Sequence, residues 1–207
     1  MAKKTHMVIC RLSRYLGILQ SQRAEDKKYL FSYILASLAH VTPAQVRRDL
    51  MMVGANGIPA RGYEIANLVR HIEKVLYASH EHRLALVGVG NLGRAILSYL
   101  PGRMTNLVLA AAFDTNPAKT GKLLHGVRCF SLDRLDEIVK REAIDIAILT
   151  VPAAVAQDVT DRLIQNGIRG LLNFTAVALR VPRKIHVEDL DVVVSLEKIA
   201  YLVREKA

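Results

Sequence analysis

The stretch ALVGVGNLGRAILSY, residues 85–99, decides the fold of the second half of this chain. It joins an apolar run to the pattern Gly-x-Gly-x-x-Gly and then to helix-forming residues. In such a turn, Gly90 lets the backbone approach a pyrophosphate, and Gly93 lets the helix pack on the strand. Free N–H groups at the helix start face the anion. The pattern predicts a dinucleotide-binding turn formed by Gly88, Val89, Gly90, Asn91, Leu92 and Gly93.

A second apolar segment, NLVLAAAFD (residues 106–114), ends in Asp114, 21 residues after Gly93. An acid at this place can accept hydrogen bonds from the adenosine ribose hydroxyls. Its charge would also repel a 2′-phosphate, so NAD(H) is favoured over NADP(H). The order strand, glycine turn, helix, strand and terminal acid is more specific than the glycine pattern alone. It predicts a Rossmann-like domain.

Strands and helices continue to alternate after Asp114, which predicts an α/β fold with a mainly parallel sheet. Strands are expected at 127–130, 145–152 and 168–175, and helices at 131–142, where Ser131 is a cap, and 153–167. Ligands bind such sheets at the carboxyl ends of the strands. The candidates for the nicotinamide end are therefore Thr150, Val151, Pro152 and Asn173, although each is also compatible with an ordinary turn.

Charge is unevenly distributed along the 207 residues, whose net charge is +10. Residues 1–80 carry 12 Lys and Arg against 5 Asp and Glu, whereas residues 81–207 carry 17 against 14. A basic excess favours a polyanionic partner through phosphate neutralisation and counterion release. It is a weak signal alone, because many basic surfaces are only solvated. We place the domain boundary at residues 78–83.

The strongest local signal in the basic segment is HVTPAQVRRDL, residues 40–50. Thr42 can cap a helix, Pro43 falls at the first helical position, and Gln45 can complete a capping box. A short helix in FSYILASLA, with Ser32 as cap candidate, ends just before this one begins. Two helices joined so tightly predict a helix-turn-helix, whose second helix can enter a major groove.

The second of these helices has a core face and a basic face. Val46 and Leu50 are one turn apart and should face the core, whereas Gln45, Arg47 and Arg48 point elsewhere. Arg can read guanine and Gln can read adenine, and both can hold phosphates. Double-stranded DNA is therefore the expected partner, and the alternative is that the two arginines only solvate an ordinary helix.

Other segments of the basic region complete the predicted domain. Residues 8–20 place apolar residues at helical spacing, at Ile9, Leu12, Leu16 and Leu19. The Gly- and Pro-rich segment GANGIPARGY, residues 54–63, can form a wing in which Arg61 touches the DNA backbone or the minor groove. Tyr63 opens a further apolar-periodic helix. Together these elements predict a winged helix-turn-helix domain.

The two cysteines and the distribution of apolar residues indicate which classes of protein this sequence fits. No apolar run approaches the ~20 residues of a membrane span, and no signal-peptide pattern follows Lys3 and Lys4. Cys10 and Cys129 have no partners at metal-ligand spacing. We therefore expect a cytoplasmic protein with no bound metal and no membrane partner.

The histidines are scattered, and none forms an evident group with a Lys or a carboxylate; they are His6, His40, His71, His80, His82, His125 and His186. A dehydrogenase needs a positioned acid or base beside the hydride acceptor, and Ala153 and Ala154 stand where one would be expected. We therefore do not expect an enzyme. The alternatives are a small NAD-dependent oxidoreductase with a basic dimerisation domain, and a nucleotide- or CoA-binding module that scaffolds other proteins.

The tail, residues 187–207, is unusually apolar for a terminus. A helix burying one face would use Leu190, Val193, Leu196, Ile199, Ala200 and Val203. Two interpretations are open: a last helix packed on its own sheet, or a helix inserted into a second subunit.

Taken together, these residues resemble the Rex family of bacterial redox-sensing transcriptional repressors. The resemblance covers nearly the whole chain and rests on CRLSRYL, VTPAQVRRDL, RGY, GVGNLG, FDTNPAK, TVP, GIRGLLNF and VEDLD, in that order. It implies a homodimer with a winged-helix domain (1–80), a Rossmann-like domain (81–188) and an exchanged C-terminal helix (189–207). It also implies an inverted-repeat operator that is bound without ligand or with NAD⁺ and released when NADH binds.

The resemblance also implies roles for single residues. The three glycines would hold the pyrophosphate and Asp114 the ribose, while Tyr99 and Asp191 match residues used around the nicotinamide for switching. Arg47 and Arg48 fall on the DNA-reading helix, and Arg11 lies in the first helix. The chain departs from the family pattern at Gly17, where relatives commonly have an Arg that pairs with the equivalent of Asp191, and at Met51, Met52, Val53, Pro59, Ala60, Arg61 and Val192.

Overall fold

The computed structural model describes residues 2–77, 81–100 and 106–204. The chain forms two compact units, residues 1–80 and 81–207, here called the N-terminal and C-terminal units. Of the predicted boundary segment 78–83, residues 78–80 lie outside the described ranges, as do the last three residues of the predicted tail.

The N-terminal unit is a small helical domain with a two-stranded sheet. Its elements are α1 (Ala2–Ala24), β1 (Tyr29–Leu30), α2 (Ser32–Ala39), α3 (Pro43–Met52), β2 (Tyr63–Glu64) and α4 (Ile65–Tyr77). β1 pairs antiparallel with β2. All four helices contribute to one apolar core, which includes Leu12, Leu19, Leu35, Val46, Leu50, Leu68 and Ile72. The core face predicted for α3 is thus confirmed.

The turn between α2 and α3 has the predicted chemistry at its centre. His40 ends α2 in a left-handed conformation, and the Thr42 side chain accepts a hydrogen bond from the backbone N–H of Gln45. Three sequence expectations were wrong in detail. Phe31 rather than Ser32 occupies the N-cap of α2. The Gln45 side chain bonds elsewhere and does not complete a capping box. Tyr63 lies in β2, because backbone pairing with β1 delays the start of α4 to Ile65.

The C-terminal unit contains a seven-stranded sheet in the order β5-β6-β4-β3-β7-β8-β9. The strands are β3 (His82–Val87), β4 (Leu107–Asp114), β5 (Leu123–Leu124), β6 (Val127–Ser131), β7 (Ile146–Leu149), β8 (Gly170–Asn173) and β9 (His186–Asp189). All pairings are parallel except that of β5 with β6. Leaving β5 aside, the strands follow the doubly wound order 3-2-1-4-5-6. The predicted α/β, Rossmann-like fold is confirmed.

The two faces of this sheet are covered unequally. On one face α6 (Leu135–Arg141) and α7 (Ala153–Gln165) pack on the larger core. On the other, α5 (Asn91–Tyr99) covers part of the smaller core and leaves an apolar groove of about 1010 Å³ beside it. The groove floor is formed by residues of β3, β7 and β8, among them Leu84, Ile146, Ile148 and Leu172.

The tail differs from the sequence expectation. Residues His186–Asp189 form the edge strand β9, so the last helix, α8 (Val192–Arg204), begins only after Leu190. None of the residues of α8 is buried. The interpretation in which this helix packs on its own sheet is therefore wrong for a single copy of the chain.

Glycine in the middle of α1 offers a test of the helix. Gly17 is exposed, and a Cβ built there has no neighbour within 4 Å. Gly17→Ala should therefore raise the free energy of unfolding by about 1 kcal/mol, because alanine favours helix over glycine by that amount. The measurement is denaturant unfolding followed by circular dichroism.

The matched control for Gly17→Ala is Gly121→Ala. Gly121 has equally open surroundings but a φ of +76°, a conformation that alanine resists. The control should destabilise the protein. Equal effects of the two substitutions would contradict a continuous helix through position 17.

Candidate functional site

The glycine turn follows β3, at the end of the sheet where the carboxyl ends of the parallel strands lie. Gly88 has a φ of +96°, and a Cβ there would lie 2.6 Å from the carbonyl oxygen of Thr150. A Cβ on Gly93 would lie 2.1 Å from the carbonyl oxygen of Gly88. A Cβ on Gly90, in contrast, would meet nothing within 4 Å. The first and third glycines are thus required by packing, whereas the second leaves open space for a ligand.

Thr150 fastens the end of β7 to this turn. Its backbone N–H donates to the carbonyl oxygen of Val87 at 2.9 Å, and its hydroxyl donates to that of Gly88 at 2.5 Å. Val151 packs its Cγ1 atom against the position that a Gly88 Cβ would take, and Pro152 precedes α7. The structure thus brings Thr150 and Val151 to the turn, where Thr150 acts as a positioning residue, whereas Pro152 is placed as the N-cap residue of α7.

Backbone N–H groups at the start of α5 form the polar part of the turn. The N–H of Val89 donates to Asp114 Oδ2 at 2.8 Å and is therefore already used within the chain. Among the described residues, no acceptor bonds the N–H groups of Gly90, Asn91, Leu92 and Gly93, and no side chain caps α5. Such unpaired N–H groups and the helix dipole attract an anion.

Asp114 lies at the end of β4, beside this turn. Its carboxylate is nearly buried and accepts hydrogen bonds from the N–H groups of Val89 and Asn116 and from Lys119 Nζ, all at 2.8–2.9 Å. Burial acts to raise the pKa of Asp114, but these bonds outweigh it, led by that from Lys119, and lower the pKa below its usual value. The side chain therefore carries a negative charge at neutral pH.

The remaining residues predicted for the nicotinamide end, Asn173, Tyr99 and Asp191, fall in two further places. Asn173 and Asp191 line one cleft of about 210 Å³, whereas Tyr99 lies on the wall of the apolar groove. Asn173 donates to Val177 and Asp189 and accepts from the N–H and hydroxyl of Thr175. The donors and acceptor of its side-chain amide are thus already hydrogen-bonded within the chain.

Asp191 caps the last helix. Its Oδ1 atom accepts from the N–H groups of Val193 at 2.7 Å and Val194 at 3.2 Å, which is the bonding of an N-cap residue. The predicted switch residue therefore also controls where α8 begins.

On the candidate DNA surface, α3 exposes Arg47 and Arg48 as predicted, and Arg47 Nη1 reaches the Ser32 hydroxyl at 3.4 Å. Thr42 is exposed at the start of the helix, and Arg61 is exposed in the loop before β2. The loop turns tightly, since the backbone N–H of Arg61 donates to the carbonyl oxygen of Ile58.

Two further residues predicted to bind DNA are engaged inside the unit. Arg11 forms a bidentate ion pair with Asp49 at 2.6 and 2.8 Å, and Gln45 Nε2 donates to the same carboxylate at 2.8 Å. The Tyr15 hydroxyl donates to it at 3.0 Å. Since Asp49 is fully buried, this cluster fixes α3 against α1 and so orients the basic face of α3.

Sequence reasoning missed two charged contacts. His82 Nδ1 lies 2.6 Å from Asp145 Oδ2, although no histidine was expected to join a carboxylate. The two residues are 63 positions apart in the sequence, so no local pattern predicts the pair. The parallel register of β3 and β7 brings them together at the amino ends of these strands, opposite the glycine turn. Lys119 was also missed, and its only signal is its position five residues after Asp114 in FDTNPAK.

The described ranges contain no group of three or more His, Cys, Asp or Glu side chains placed to hold a metal ion. Among the helices described, none has the length and apolar character needed to cross a bilayer.

Two known families match parts of the chain. The family "CoA binding domain" matches residues 79–177, and the family "Putative DNA-binding protein N-terminus" matches residues 6–50. A helix-turn-helix unit followed by a nucleotide-binding unit defines the class: DNA-binding proteins with a ligand-binding domain.

Whole-chain relatives identify the family. The redox-sensing transcriptional repressor Rex of Anoxybacillus flavithermus is 40% identical to this chain, and the match covers 94% of this chain and 91% of the relative. The repressor Rex of Syntrophobacter fumaroxidans is 37% identical, and that match covers 97% of this chain and 96% of the relative. The solved Rex-family repressor RSP, in complex with β-NAD⁺ and operator DNA, superposes with a TM-score of 0.84 at 31% identity, over 97% of this chain and 93% of its own. Its complex with β-NADH gives 0.83 at 30% identity, over 97% and 94%. The chain belongs to the Rex family of redox-sensing transcriptional repressors.

The buried carboxylate of Asp49 yields a stability prediction. Asp49→Asn should lower the free energy of unfolding by about 3–4 kcal/mol, because it leaves the Arg11 charge without its partner. The pKa of Asp49, which burial acts to raise, is held below its ordinary value of 3.8 by bonds from Arg11, Gln45 and Tyr15. The carboxylate therefore stabilises the fold above about pH 4, and this contribution is lost as pH falls through the folded pKa.

The measurement is urea unfolding of both proteins between pH 3 and pH 7. The variant should lose part of the pH dependence of the wild type over this range. Asp26→Asn, at an exposed position, is the control and should change stability by less than about 0.5 kcal/mol. A variant as stable as the wild type would contradict the structural role of the cluster.

Proposed function

We propose that this protein is a dimeric DNA-binding repressor that reads the NADH/NAD⁺ ratio and leaves its operator when NADH binds. The single observation that carries the proposal is the open, uncapped start of α5 beside Asp114, in a chain that also exposes a basic recognition helix. The nicotinamide dinucleotide then acts as a signal rather than as a reagent.

The residues present fit such a dinucleotide. The N–H groups of Gly90, Asn91, Leu92 and Gly93 would hold the pyrophosphate, since they have no acceptor among the described residues. Asp114 would accept a ribose hydroxyl. The cleft that contains Asn173 and Asp191 lies at the carboxyl ends of β8 and β9, where ligands bind such sheets. Thr150 would keep the turn in shape, and Val151 and Pro152 would border it.

Double-stranded DNA is the proposed partner of the N-terminal unit. Arg47 and Arg48 would read base edges or hold phosphates in a major groove. Thr42 and Arg61 would contact the backbone next to them. Arg11 and Gln45 act through Asp49, which sets the orientation of the reading helix.

A second copy of the chain is the proposed occupant of the apolar groove. α8 exposes a continuous set of large apolar side chains, namely Val192, Val193, Val194, Leu196, Ile199, Leu202 and Val203. The groove beside α5 exposes a complementary apolar floor and includes Tyr99. Exchange of α8 between two copies would remove both surfaces from water, at roughly 25 cal/mol for each Å² of apolar area. Exchange would also place the start of α8, where Asp191 is the N-cap residue, next to the partner subunit.

Redox sensing requires that NADH favour one arrangement of the dimer over the other. Tight binding without such a difference would shift no equilibrium. Two inverted half-sites in the operator match the two-fold symmetry of a dimer. The competing assignment, a small NAD-dependent oxidoreductase, predicts steady consumption of NADH with some substrate.

The test is binding to an inverted-repeat operator duplex followed by fluorescence anisotropy at fixed salt, without ligand, with NAD⁺ and with NADH. Salt is fixed because phosphate contacts make affinity strongly salt-dependent. We expect specific binding that NADH abolishes and NAD⁺ spares. Gly90→Ala should bind the same DNA. The NADH concentration that releases half of the operator should rise at least about tenfold, because the added Cβ occupies the space of the pyrophosphate.

The matched control replaces Arg47 and Arg48 by Ala, which should abolish DNA binding and leave NADH binding intact. Binding to random DNA with the same affinity in every ligand state would contradict the proposed function. Operator binding that ignores NADH would leave the DNA role and remove the redox role.

A further inference from the structure

A methionine lies in the middle of the exposed, basic face of α3. Met51 comes three residues after Arg48 and four after Arg47, and residues at these spacings are neighbours on the surface of a helix. Ala44, seven residues before Met51, is exposed on the same line. The buried residues of the helix occupy its opposite face. Ala44 and Met51 therefore form an apolar line that runs between the two arginines.

The side chain of Met51 is not used by the fold. It is 71% exposed, and it is not one of the described residues that form or cover the apolar core of the N-terminal unit. The next residue, Met52, has a similar exposure of 65% but lines a groove with Val53 and with Val75 of α4. Successive residues point about 100° apart around a helix axis. The two methionines therefore leave α3 in different directions.

The surroundings of Met51 indicate what could cover it. A single exposed apolar residue is common on protein surfaces, but Met51 is flanked by two arginines that can contact phosphates or guanines. A helix held in a major groove by such contacts turns the line between them toward the base edges. The apolar group that base edges present there is the C5-methyl group of thymine. The flexible thioether of methionine adapts to irregular surfaces of this kind.

We infer that Met51 is a specificity-determining residue that packs on the C5-methyl group of a thymine in the operator. The inference rests on the proposed function, because it requires α3 to enter a major groove. The contact distinguishes thymine from cytosine, which carries no methyl group at this position. Met51 is among the positions at which the chain departs from the family pattern, so we expect this preference to be particular to this chain.

The test compares operator duplexes that differ by one methyl group in each half-site. The full-length protein, without ligand, first selects its tightest duplexes from a pool in which both inverted half-sites are randomised. Each thymine of the selected half-sites is then replaced by deoxyuridine, symmetrically in both halves. This replacement keeps the base pair and removes only the methyl group. The Kd of each duplex is measured by fluorescence anisotropy at fixed salt.

At one thymine position, the replacement should raise the Kd of the wild type at least about fourfold, the scale of one buried methyl group. In Met51→Ala the two duplexes should bind equally, because the side chain that covers the methyl group is gone. Met51→Leu keeps an apolar side chain of similar volume and should retain most of the wild-type ratio. The double-mutant cycle separates this contact from any effect of the methyl group on the shape of the DNA.

Met52→Ala is the matched control, since it removes the same side chain from the adjacent exposed position. It should leave the wild-type ratio unchanged, and circular dichroism of each variant reports its folding. Three results would overturn the inference and leave operator binding intact: selected half-sites without thymine, a Kd that no methyl group affects, and methyl effects that all survive in Met51→Ala. A wild type that prefers no duplex over random DNA would remove the proposed function as well.

Discussion

The close approach of Gly93 to the carbonyl oxygen of Gly88 is the constraint on which the C-terminal unit depends. This approach leaves no room for a side chain at position 93, so the start of helix α5 packs tightly against the turn that follows β3. Thr150 fixes the same carbonyl from β7, the neighbouring strand at which the strand order reverses. The N–H groups at the start of α5 have no acceptor among the described residues, and the N–H of Val89 bonds Asp114 to the turn.

A buried carboxylate plays the corresponding role in the N-terminal unit. Asp49 lies on α3, the proposed recognition helix, and its bonds to Arg11, Tyr15 and Gln45 tie that helix to α1. Arg47 and Arg48 are neighbours of Asp49 in sequence but lie on the exposed face. The proposed ligand site and the proposed DNA-binding face thus each depend on a positioning contact made by other groups than those proposed to bind.

Local patterns predicted most of the fold, because caps and glycine turns depend on residues a few positions apart. The Thr42 cap, the exposed Arg47 and the β3–α5 turn were found in this way. The side-chain networks were not predictable, since Arg11 and Asp49 are 38 residues apart and His82 and Asp145 are 63 apart. The edge strand β9 was missed because its pairing with β8 outweighs the helical pattern of the tail that follows. The contact of Lys119 was not predicted, because no sequence pattern indicates that its side chain bonds back to Asp114.

In the proposed function, dinucleotide binding and operator binding are thermodynamically coupled. Linkage requires the coupling to be reciprocal: if NADH weakens operator binding by some factor, operator DNA must weaken NADH binding by the same factor. The most direct measurement is the Kd for NADH, with and without saturating operator duplex, at one salt concentration. We expect weaker NADH binding in the presence of operator and no such effect of a random duplex. Equal NADH affinity in the two conditions would contradict the coupling.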